Sequence, residues 1–479
     1  MDILDLARLQ FTVTTGLHWL FVIFSLGLAP LVAVLHTLAV RSRDPETRAR
    51  RLRMTRFWGQ LYVINYAVGL VTGLVMEFQL GLSWSGFTKF AGNVIGAPLA
   101  LEALVAFFAE STFLGLWIFG WGRLRPGLHA ALIWLVTLTA YASAYWILVV
   151  NAFMQMPAGL EVRDGVARLA DAGALLGSPN AILALIHVSS AALLAGGLFM
   201  AGVSAYRLRR ATTEPAGFRF SLRLGTAVAA VAIIPTAVVG NLQFPLMIDK
   251  QPMKVLLFTH VPTGELQARL AARYGPGDYV PPYWAELGEE TMLYLGYVLG
   301  LFSLCAFLLV FRDLLVRHRA VAVVAALAAG NSMGEFAGGL VFGAPGPHRL
   351  EVYLACNVLA AALLLYRPRS ERALAAALVA AAPLPFVAAL AGWVMREVGR
   401  QPWLVYGHLK VEDGLSPVTW GTMLASTVTF IGVLAVLAVA DWVLILRFAR
   451  REPAEAHLGA VAAEPRHEPE RDKLTLETL

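Results

Sequence analysis

Two histidines and one methionine inside apolar segments are the residues best suited to chemistry. His18 lies about seven residues into the first apolar segment, His187 about seven residues into the fifth, and Met292 a few residues into the seventh, each counted from one side. At about 1.5 Å per residue, both histidines lie roughly 10 Å below that surface. Imidazole and thioether groups at one depth can fill the axial positions of a heme iron. A histidine bonded to a helix carbonyl and a methionine in the core or facing lipid remain the alternatives.

Two glutamates share the third apolar segment. Glu102 and Glu110 are eight residues apart, which is about 12 Å along an α-helix and about 80° around it. Ionisable groups within a membrane are costly and therefore indicate function, and carboxyl groups at this spacing can line a proton path. Structural carboxyls bonded to Ser or Thr are the alternative, and Glu77 and Glu335 are weaker candidates of the same kind.

The other polar side chains near the apolar segments carry less information. Asp441 lies near the inner end of the last segment, where it can reach the interface. Cys305 and Cys356 fall inside apolar runs and form no disulfide framework. Five further histidines lie near helix ends or in loops, where we expect solvated side chains: His36, His129, His318, His348 and His408.

The composition is that of a membrane protein. The chain has 479 residues, of which 58% are hydrophobic and 15% charged, and its mean hydropathy is +0.66. A soluble chain of this length could not keep so much apolar surface from water. The net charge of +6 is dispersed over loops, so membrane topology explains it better than binding of nucleic acid. The first apolar stretch lacks a small-residue cleavage site, so we expect it to be retained.

The apolar segments predict an all-α integral membrane protein, a polytopic bundle of about 11 transmembrane helices. The eighth is interrupted by polar and glycine residues at 330–335, and the ninth is short. The predicted spans are 11–40, 57–80, 97–120, 128–152, 180–206, 222–243, 288–311, 320–342, 350–366, 373–395 and 418–446.

Arginine-rich loops set the predicted orientation. The loop 41–56 is dense in arginine, and alternate loops repeat the excess, so the N-terminus is expected outside and the C-terminus inside. The predicted organisation is helices one to six (1–243), a long outer loop (244–287), helices seven to eleven (288–447) and a polar cytoplasmic tail (448–479), expected to be disordered. Two more long outer connections are 153–179 and 396–417.

Several short motifs, in order along the chain, resemble subunit I of the cytochrome bd-type quinol oxidases. They cover most of residues 1–310 and 373–447, so the family core of nine helices would be joined by two inserted ones. The motifs are Arg8-Leu-Gln-Phe with His18-Trp-Leu-Phe-Val, Phe57-Trp-Gly, Gly73-Leu-Val-Met-Glu-Phe-Gln79, Gly96-Ala-Pro-Leu-Ala-Leu-Glu102, Phe107-Phe-Ala-Glu-Ser-Thr112, Trp146-Ile-Leu-Val-Val-Asn151 with Met154-Gln, Gln251-Pro-Met-Lys254, Gly392-Trp393 and Gly399-Arg-Gln-Pro-Trp403.

The resemblance implies a set of site residues. His187 and Met292 would ligate a low-spin heme b. His18 and Glu102 would serve the pair of high-spin hemes, of b or d type, with Glu110 in the same pocket or its proton route. Quinol would bind in the outer loop, where Gln251 and Lys254 match the family. The family segment that ends in Trp403 adds Arg400 and Gln401.

The resemblance also implies an activity and partners. Family members oxidise quinol on the outer side and reduce dioxygen to water, taking protons from the inside. Such a subunit would span the bacterial inner membrane, in contact with lipid and with a second subunit of similar architecture. No nucleic acid is expected as a partner.

This chain departs from the family pattern at several positions. Leu390 stands where a glutamate ligand of a high-spin heme is expected before Gly-Trp, and Thr259 stands where the loop usually has a glutamate. Glu290 replaces the arginine that commonly precedes the methionine ligand. Residues 320–366 add two helices, in which Glu335 is a candidate for the missing ligand.

Two alternatives to a quinol oxidase stay open at this point. The departures favour a related heme protein that takes electrons from another donor or reduces another small molecule. The interrupted eighth helix is typical of a heme-free transporter, since broken spans often line substrate sites.

Overall fold

The protein is a bundle of long helices with two short hairpins. The computed structural model describes residues 2–210, 212–342, 350–365 and 372–459. The elements of the first half are α1 (Ile3–Val40), α2 (Pro45–Ser83), α3 (Ser85–Glu102), a π-helix (Ala103–Glu110), α4 (Ser111–Phe119), α5 (Pro126–Gln155), β1 (Leu160–Arg163), β2 (Val166–Leu169), α6 (Ala172–Leu176), α7 (Pro179–Arg209) and α8 (Pro215–Lys250).

The second half continues the bundle after a loop with two short helices. Its elements are α9 (Pro252–Phe258), α10 (Gly264–Tyr274), α11 (Trp284–Leu315), α12 (Arg319–Phe342), α13 (Leu350–Leu365), α14 (Arg372–Ala381), α15 (Leu384–Val398), β3 (Trp403–Val405), β4 (Leu409–Lys410), α16 (Val411–Gly414), α17 (Trp420–Ala449) and a 3₁₀ turn (Pro453–Glu455).

Ten helical segments in the described chain are long and apolar enough to cross a membrane, and α13 is a shorter apolar helix of 16 residues. An apolar helix therefore lies at each of the eleven predicted positions. Two of the long segments are composite. The segment Ser85–Phe119 consists of α3, the π-helix and α4, and the segment Arg372–Val398 consists of α14 and α15.

The expected interruption of the eighth helix is wrong, because α12 is continuous through 330–335. The glycines there serve packing instead. A Cβ added at Gly330 would lie 2.6 Å from Asn357 Oδ1, and one added at Gly334 would lie 2.5 Å from the ring of Tyr353. Both partners belong to α13, so the glycines allow α12 and α13 to approach closely. This removes the feature that favoured a transporter.

The long connections after α5, α8 and α15 meet at one end of the bundle, here called the loop face. The backbone N–H of Tyr406 donates to Met154 O at 3.0 Å, and that of Ser416 donates to Ser83 O at 3.0 Å. The hairpins β1–β2 and β3–β4 lie in these connections and are both antiparallel. The sequence pattern predicted neither hairpin, because the strands are only two to four residues long.

The opposite end, here called the arginine face, is held by charged and polar contacts. Arg53 Nε lies 2.5 Å from Glu214 Oε1, and Arg207 pairs with Glu452. The sequence predicted a disordered tail after the last helix. The chain after α17 instead packs at the arginine face up to residue 459, and Leu458 is 8% exposed. Residues 460–479 of the predicted tail lie outside the described part.

His36 and His129 are buried near the arginine face, so their expected solvation is wrong. The Trp117 indole N–H donates to His36 Nδ1 at 3.1 Å, and His129 Nε2–H donates to Trp117 O at 2.7 Å. The Trp121 ring stacks on His36 with centroids 5.3 Å apart. The reason is that these aromatic rings close over the helix ends. His318 and His408 are exposed as expected, and His348 lies outside the described residues.

Helix α1 is central and contacts α2, α5, α7, α15 and α17. It meets α7 at a pair of glycines. A Cβ added at Gly27 would overlap the carbonyl oxygen of Ala192, and one added at Gly196 would overlap the backbone of Gly27. Small residues at such crossings let two membrane helices pack backbone to backbone. This contact fixes the helix that carries His18 against the helix that carries His187.

We expect the substitution Gly27→Ala to destabilise the protein, because α1 and α7 must separate to admit the methyl group. Overpacking of this kind typically costs about 1–3 kcal/mol. Thermal unfolding in detergent, followed by tryptophan fluorescence, measures the change. Gly92→Ala is the matched control, since a Cβ there meets nothing within 4 Å. Equal unfolding midpoints for the two variants would contradict the close crossing.

Candidate functional site

The His187 ring is oriented by α8. His187 Nδ1 lies 2.9 Å from the carbonyl oxygen of Thr236. Because a carbonyl only accepts, Nδ1 carries the proton and Nε2 keeps its lone pair. Gly240 leaves room for the ring, since a Cβ there would lie 3.1 Å from His187 Cε1. A hydrogen bond from the histidine to a helix carbonyl was the alternative to metal ligation by His187. This hydrogen bond occupies only one ring nitrogen, so the other nitrogen is available to a metal.

Met292 and His187 lie on helices that both contact α15. A Cβ added at Gly392 would lie 2.6 Å from Met292 Sδ, so the thioether packs against the α15 backbone. Arg396 lies one turn further along α15 and is close enough to His187 for their charges to interact. Helix α15 therefore brings the predicted imidazole and thioether to one region near the loop face.

His18 is held in the same tautomer by a hydroxyl. Thr72 Oγ1 donates its only hydrogen to Gly69 O at 2.8 Å, so at 2.9 Å it accepts from His18 Nδ1. His18 Nε2 is thus free to bind a metal. The ring lies against Gly73, where a Cβ would be 3.3 Å from His18 Cε1.

The predicted carboxyl pair becomes a group of three. Glu102 accepts a hydrogen bond from Ser143 Oγ at 2.9 Å, and its carboxyl also hydrogen-bonds with that of Glu77. Glu77 lies one turn after Gly73 on α2, and the His18 ring lies against Gly73. A purely structural carboxyl bonded to a serine was the alternative to a proton-carrying role for Glu102. The hydrogen bond from Ser143 agrees with that alternative, but it does not account for a second carboxyl near Glu102.

Glu110 is separated from Glu102 by the π-helix. The wider turn of that segment means that the α-helical angle predicted between the two carboxyls does not apply. Glu110 is 5% exposed and accepts from the Tyr62 hydroxyl at 3.4 Å. Tyr66 Oη lies 3.1 Å from Ser111 Oγ. Glu110 and Glu102 remain close enough for their charges to interact, so hydroxyl and carboxyl groups line one side of α2.

Four charged side chains lie together beneath the loop face: Lys254, Glu397 and Arg400 are buried, and Arg396 is half-buried. Arg400 Nη2 lies 2.7 Å from Glu397 Oε2, with both side chains at most 3% exposed. Burial, with Arg396 and Arg400 nearby and only Glu397 opposing them, lowers the pKa of Lys254 to about 7. Burial likewise lowers the pKa of Arg400, while Glu397 counteracts this. Two guanidinium groups and a lysine whose charged form burial disfavours thus lie near one carboxylate.

Amide side chains complete this cluster. Asn151 Nδ2 donates to Glu397 Oε1 at 2.7 Å, and Arg396 Nε donates to Asn151 Oδ1 at 2.6 Å. Gln251 Nε2 donates to Gln155 O at 2.7 Å. Lys254 Nζ donates to Arg396 O at 3.2 Å. The two residues predicted to bind quinol, Gln251 and Lys254, are therefore buried and turned inward, 1% and 3% exposed.

Several buried donors near this cluster lack partners within the described chain, and they test whether a heme fits. The Nε–H groups of Arg8 and Arg400 are unpaired donors, and Gln401 Oε1 is an unpaired acceptor. These residues line one cavity together with Glu397. Trp19 and Trp393 stack with centroids 5.1 Å apart, and both indole N–H groups are unpaired.

Buried unpaired donors and excess positive charge call for an anion. Heme supplies two propionate carboxylates and a flat apolar ring, and the free imidazole nitrogens and the thioether match its iron. The residues present at this site therefore fit a heme.

The remaining predicted residues take defined positions. Trp403 packs against the rings of Tyr274 and Tyr279, with centroids 4.9 and 5.8 Å away, so it fastens α10 to the segment that carries Arg400. Thr259 only caps α9, since its hydroxyl donates to Val255 O.

Glu335 does not supply the ligand expected before Gly-Trp. It lies exposed on α12 and accepts from Tyr353 Oη at 2.6 Å, and α12 packs against α11 and α13. That suggestion is wrong because the inserted helices lie away from α1 and α3. Leu390 contacts α1 instead, near Gly16.

Sequence reasoning missed Arg396 and Glu397. The available signal was an adjacent pair of opposite charges at the end of an apolar span, directly before Gly399-Arg-Gln-Pro-Trp403. This pair did not indicate a buried site, because charged side chains at the end of a span usually reach the aqueous interface. Here the connection 399–419 folds back over the end of α15, so Glu397 is buried and Arg396 half-buried.

The sequence matches a family model described as cytochrome bd terminal oxidase subunit I over residues 6–273 and 346–453. The stretch 274–345, which the family model does not match, contains α11 and α12. The position of Met292 therefore rests on its packing against α15, as described above, and not on the family match. The predicted insertion at 320–366 overlaps this stretch only in part.

Relatives from two bacteria extend the match to most of the chain. Cytochrome bd ubiquinol oxidase subunit 1 of Bacillus subtilis is 34% identical over 483 residues, covering 90% of each chain. Cytochrome bd-II ubiquinol oxidase subunit 1 of Escherichia coli is 30% identical, covering 95% of this chain and 97% of the relative. A chain of the bd oxidase from Geobacillus thermodenitrificans has the same fold, with a TM-score of 0.72 at 23% identity over 94% of this chain and 99% of that chain.

We expect Glu397→Gln to lower stability strongly, because it removes the one carboxylate among the buried cations. Breaking a buried ion pair on one side typically costs about 3–5 kcal/mol. The midpoint of thermal unfolding in detergent measures the loss. Glu161→Gln is the control, since Glu161 forms an exposed pair with Arg163, worth at most about 1 kcal/mol. Similar midpoints for the two variants would show that Glu397 does not balance the cluster.

Proposed function

The chain belongs to the cytochrome bd terminal oxidase subunit I family, and on that premise we propose that it is the heme-bearing subunit of a quinol:oxygen oxidoreductase. The family comprises heme-containing oxidoreductases of respiratory electron transport, which leaves the heme-free transporter without support. The observation that carries the proposal is the meeting, at α15, of a free imidazole nitrogen, a thioether and an excess of buried positive charge.

In the proposed low-spin site, His187 and Met292 would hold a heme b. When bound, the heme supplies one-electron transfer, and Met/His ligation raises its potential. The protein orients the imidazole through the Thr236 carbonyl. It makes room for the thioether at Gly392.

Electrostatics support the same placement. Arg396, Lys254 and Arg400 would balance the carboxylates of the bound group, and this would restore the charge of Lys254, whose pKa the chain alone lowers to about 7. The cluster lies at the loop face, which we assign to the outer side of the membrane because the arginine-rich connections lie at the other end.

His18, Glu102 and Glu77 form the proposed high-spin region, where dioxygen would be reduced by hemes of b type, or of b and d type. His18 offers Nε2, and the carboxyls of Glu102 and Glu77 interact with each other. Carboxyl pairs of this kind can receive and pass protons. They lie below the loop face, at the depth of His18.

Glu110 lies on the proton path that we propose from the arginine face. Its carboxyl contacts the Tyr62 hydroxyl, and the adjacent Tyr66–Ser111 pair adds a second hydroxyl contact between α2 and α4. Carboxyl and hydroxyl side chains can relay protons where water is excluded. Protons would thus enter from the cytoplasm and reach Glu102 through the same helix.

Quinol is the proposed donor, and it would bind at the loop face near Gln251 and Lys254. Both residues belong to the buried cluster that touches Arg396, so electrons would have a short way to the His187 site. Their burial means that the short helix α9 must move for quinol to contact them directly. A second membrane subunit and lipid would cover the apolar flanks of the bundle, as expected of a multi-pass protein of a bacterial inner membrane.

We expect His187→Ala to remove the low-spin b-type signal from reduced-minus-oxidised spectra of the purified complex, because alanine offers the iron no axial ligand. His408→Ala, an exposed histidine on the loop face, should leave the spectrum unchanged. A full low-spin signal in the His187 variant would overturn the ligand assignment.

We expect Glu110→Gln to slow quinol-driven oxygen uptake by about tenfold or more, because the amide cannot carry a proton, while heme content stays near that of the parent. An oxygen electrode and a pyridine hemochrome assay measure the two quantities, with Glu161→Gln as the control. Parental uptake by the Glu110 variant would exclude the proton role. A parent complex that bears heme but takes no electrons from quinol would exclude quinol as donor.

A further inference from the structure

A histidine and two glutamates meet at the loop face outside the site described above. Glu286 and Glu290 lie one turn apart at the start of α11, so they share one face of the helix. His260 follows the end of α9 and has φ of +54°. The carboxylates are 17% and 39% exposed and the imidazole 65%, so solutes can reach all three side chains.

The donor atoms have the spacing of a metal coordination shell. His260 Nδ1 lies 2.9 Å from Glu286 Oε1, and the other ring nitrogen, Nε2, lies 3.9 Å from Glu290 Oε1; one of the two nitrogens would be the ligand. One ligand atom from each residue fits within 4.8 Å of the others. Bonds of about 2.0–2.2 Å in a tetrahedral zinc site place ligand atoms roughly 3.3–3.5 Å apart. Small side-chain rotations would bring all three residues onto one ion.

We infer that His260, Glu286 and Glu290 form a site for a divalent transition-metal ion of the zinc class. One imidazole with two carboxylates suits zinc, with a water in the open fourth position. Calcium and magnesium prefer shells made of oxygen alone. In the described part of the chain neither glutamate pairs with a lysine or arginine, and no other group of His, Cys, Asp and Glu has this spacing.

An ion at this site would connect two parts of the loop face. His260 lies just after α9, which carries Lys254, and the two glutamates lie on α11, which carries Met292. The same two elements already pack together, and Phe258 and Ala285 belong to one hydrophobic cluster with Val398. The metal would therefore join the loop that covers the buried cluster to the helix below it. The inference does not depend on heme binding, because no donor of the site belongs to the proposed heme ligands.

The test uses the purified full complex, stripped with a chelator and titrated with Zn²⁺ against a fluorescent zinc chelator. We expect the stripped complex to bind one Zn²⁺ per copy of this chain. Zinc-edge X-ray absorption should show a single imidazole with oxygen ligands. His260→Ala should weaken binding by about tenfold or more, since removal of one direct ligand costs at least as much as loss of a supporting group. It should also remove the imidazole from the spectrum.

His408→Ala is the matched control, because it removes an exposed histidine of the same face that belongs to no such group. Glu286→Gln is a second variant, expected to weaken zinc binding while the imidazole signal persists. Heme spectra and unfolding midpoints should stay unchanged in all three, which separates this inference from the proposed oxidase function. Equal zinc affinity of the His260 and His408 variants, or no zinc bound by the parent, would overturn it and leave an ordinary ion pair.

Discussion

The arrangement at the loop face follows from a charge imbalance. Lys254 and Arg400 are buried beside a single carboxylate, Glu397, and Arg396 lies half-buried next to them. Such burial is tolerated only when another anion or a dense set of hydrogen bonds compensates it. The amides of α5 and of the loop before α9 supply part of that compensation. An anion bound there would supply the rest, and the carboxylates of the proposed heme would do so where an apolar ligand could not.

Helix α15 joins this cluster to the proposed heme ligands. Gly392 faces the Met292 thioether, Trp393 stacks on Trp19 next to His18, and Arg396 interacts with His187. One helix thus contacts the surroundings of both proposed heme regions and the loop face. The arrangement requires close packing, which the glycines supply at the positions where a side chain would displace a ligand.

The two ends of the bundle differ in how they are closed. At the loop face, long connections with two small hairpins cover buried charges, and Trp403 fastens them through aromatic contacts. At the arginine face, ion pairs and the segment before residue 460 close the helix ends, and His36 and His129 are enclosed by tryptophan rings. The π-helix before Glu110 lies between these ends, where the proposed proton path would pass. Irregular turns of this kind inside a helix are often found at functional sites.

The sequence by itself determined the class, the positions of the helices and the family, because apolar runs of about 20 residues and alternate arginine-rich loops are local properties of the chain. Those properties also predicted how deep His18, His187 and Glu102 lie within their membrane helices. Only the tertiary structure decided which side chains meet. Glu397 sits at a span end where solvent is the usual environment, and it is buried because a later connection folds over it. Glu335 lies within a span yet faces away from the site, because the direction of a side chain around a membrane helix depends on which helices pack against it. Local spacing in the sequence does not show which helices those are.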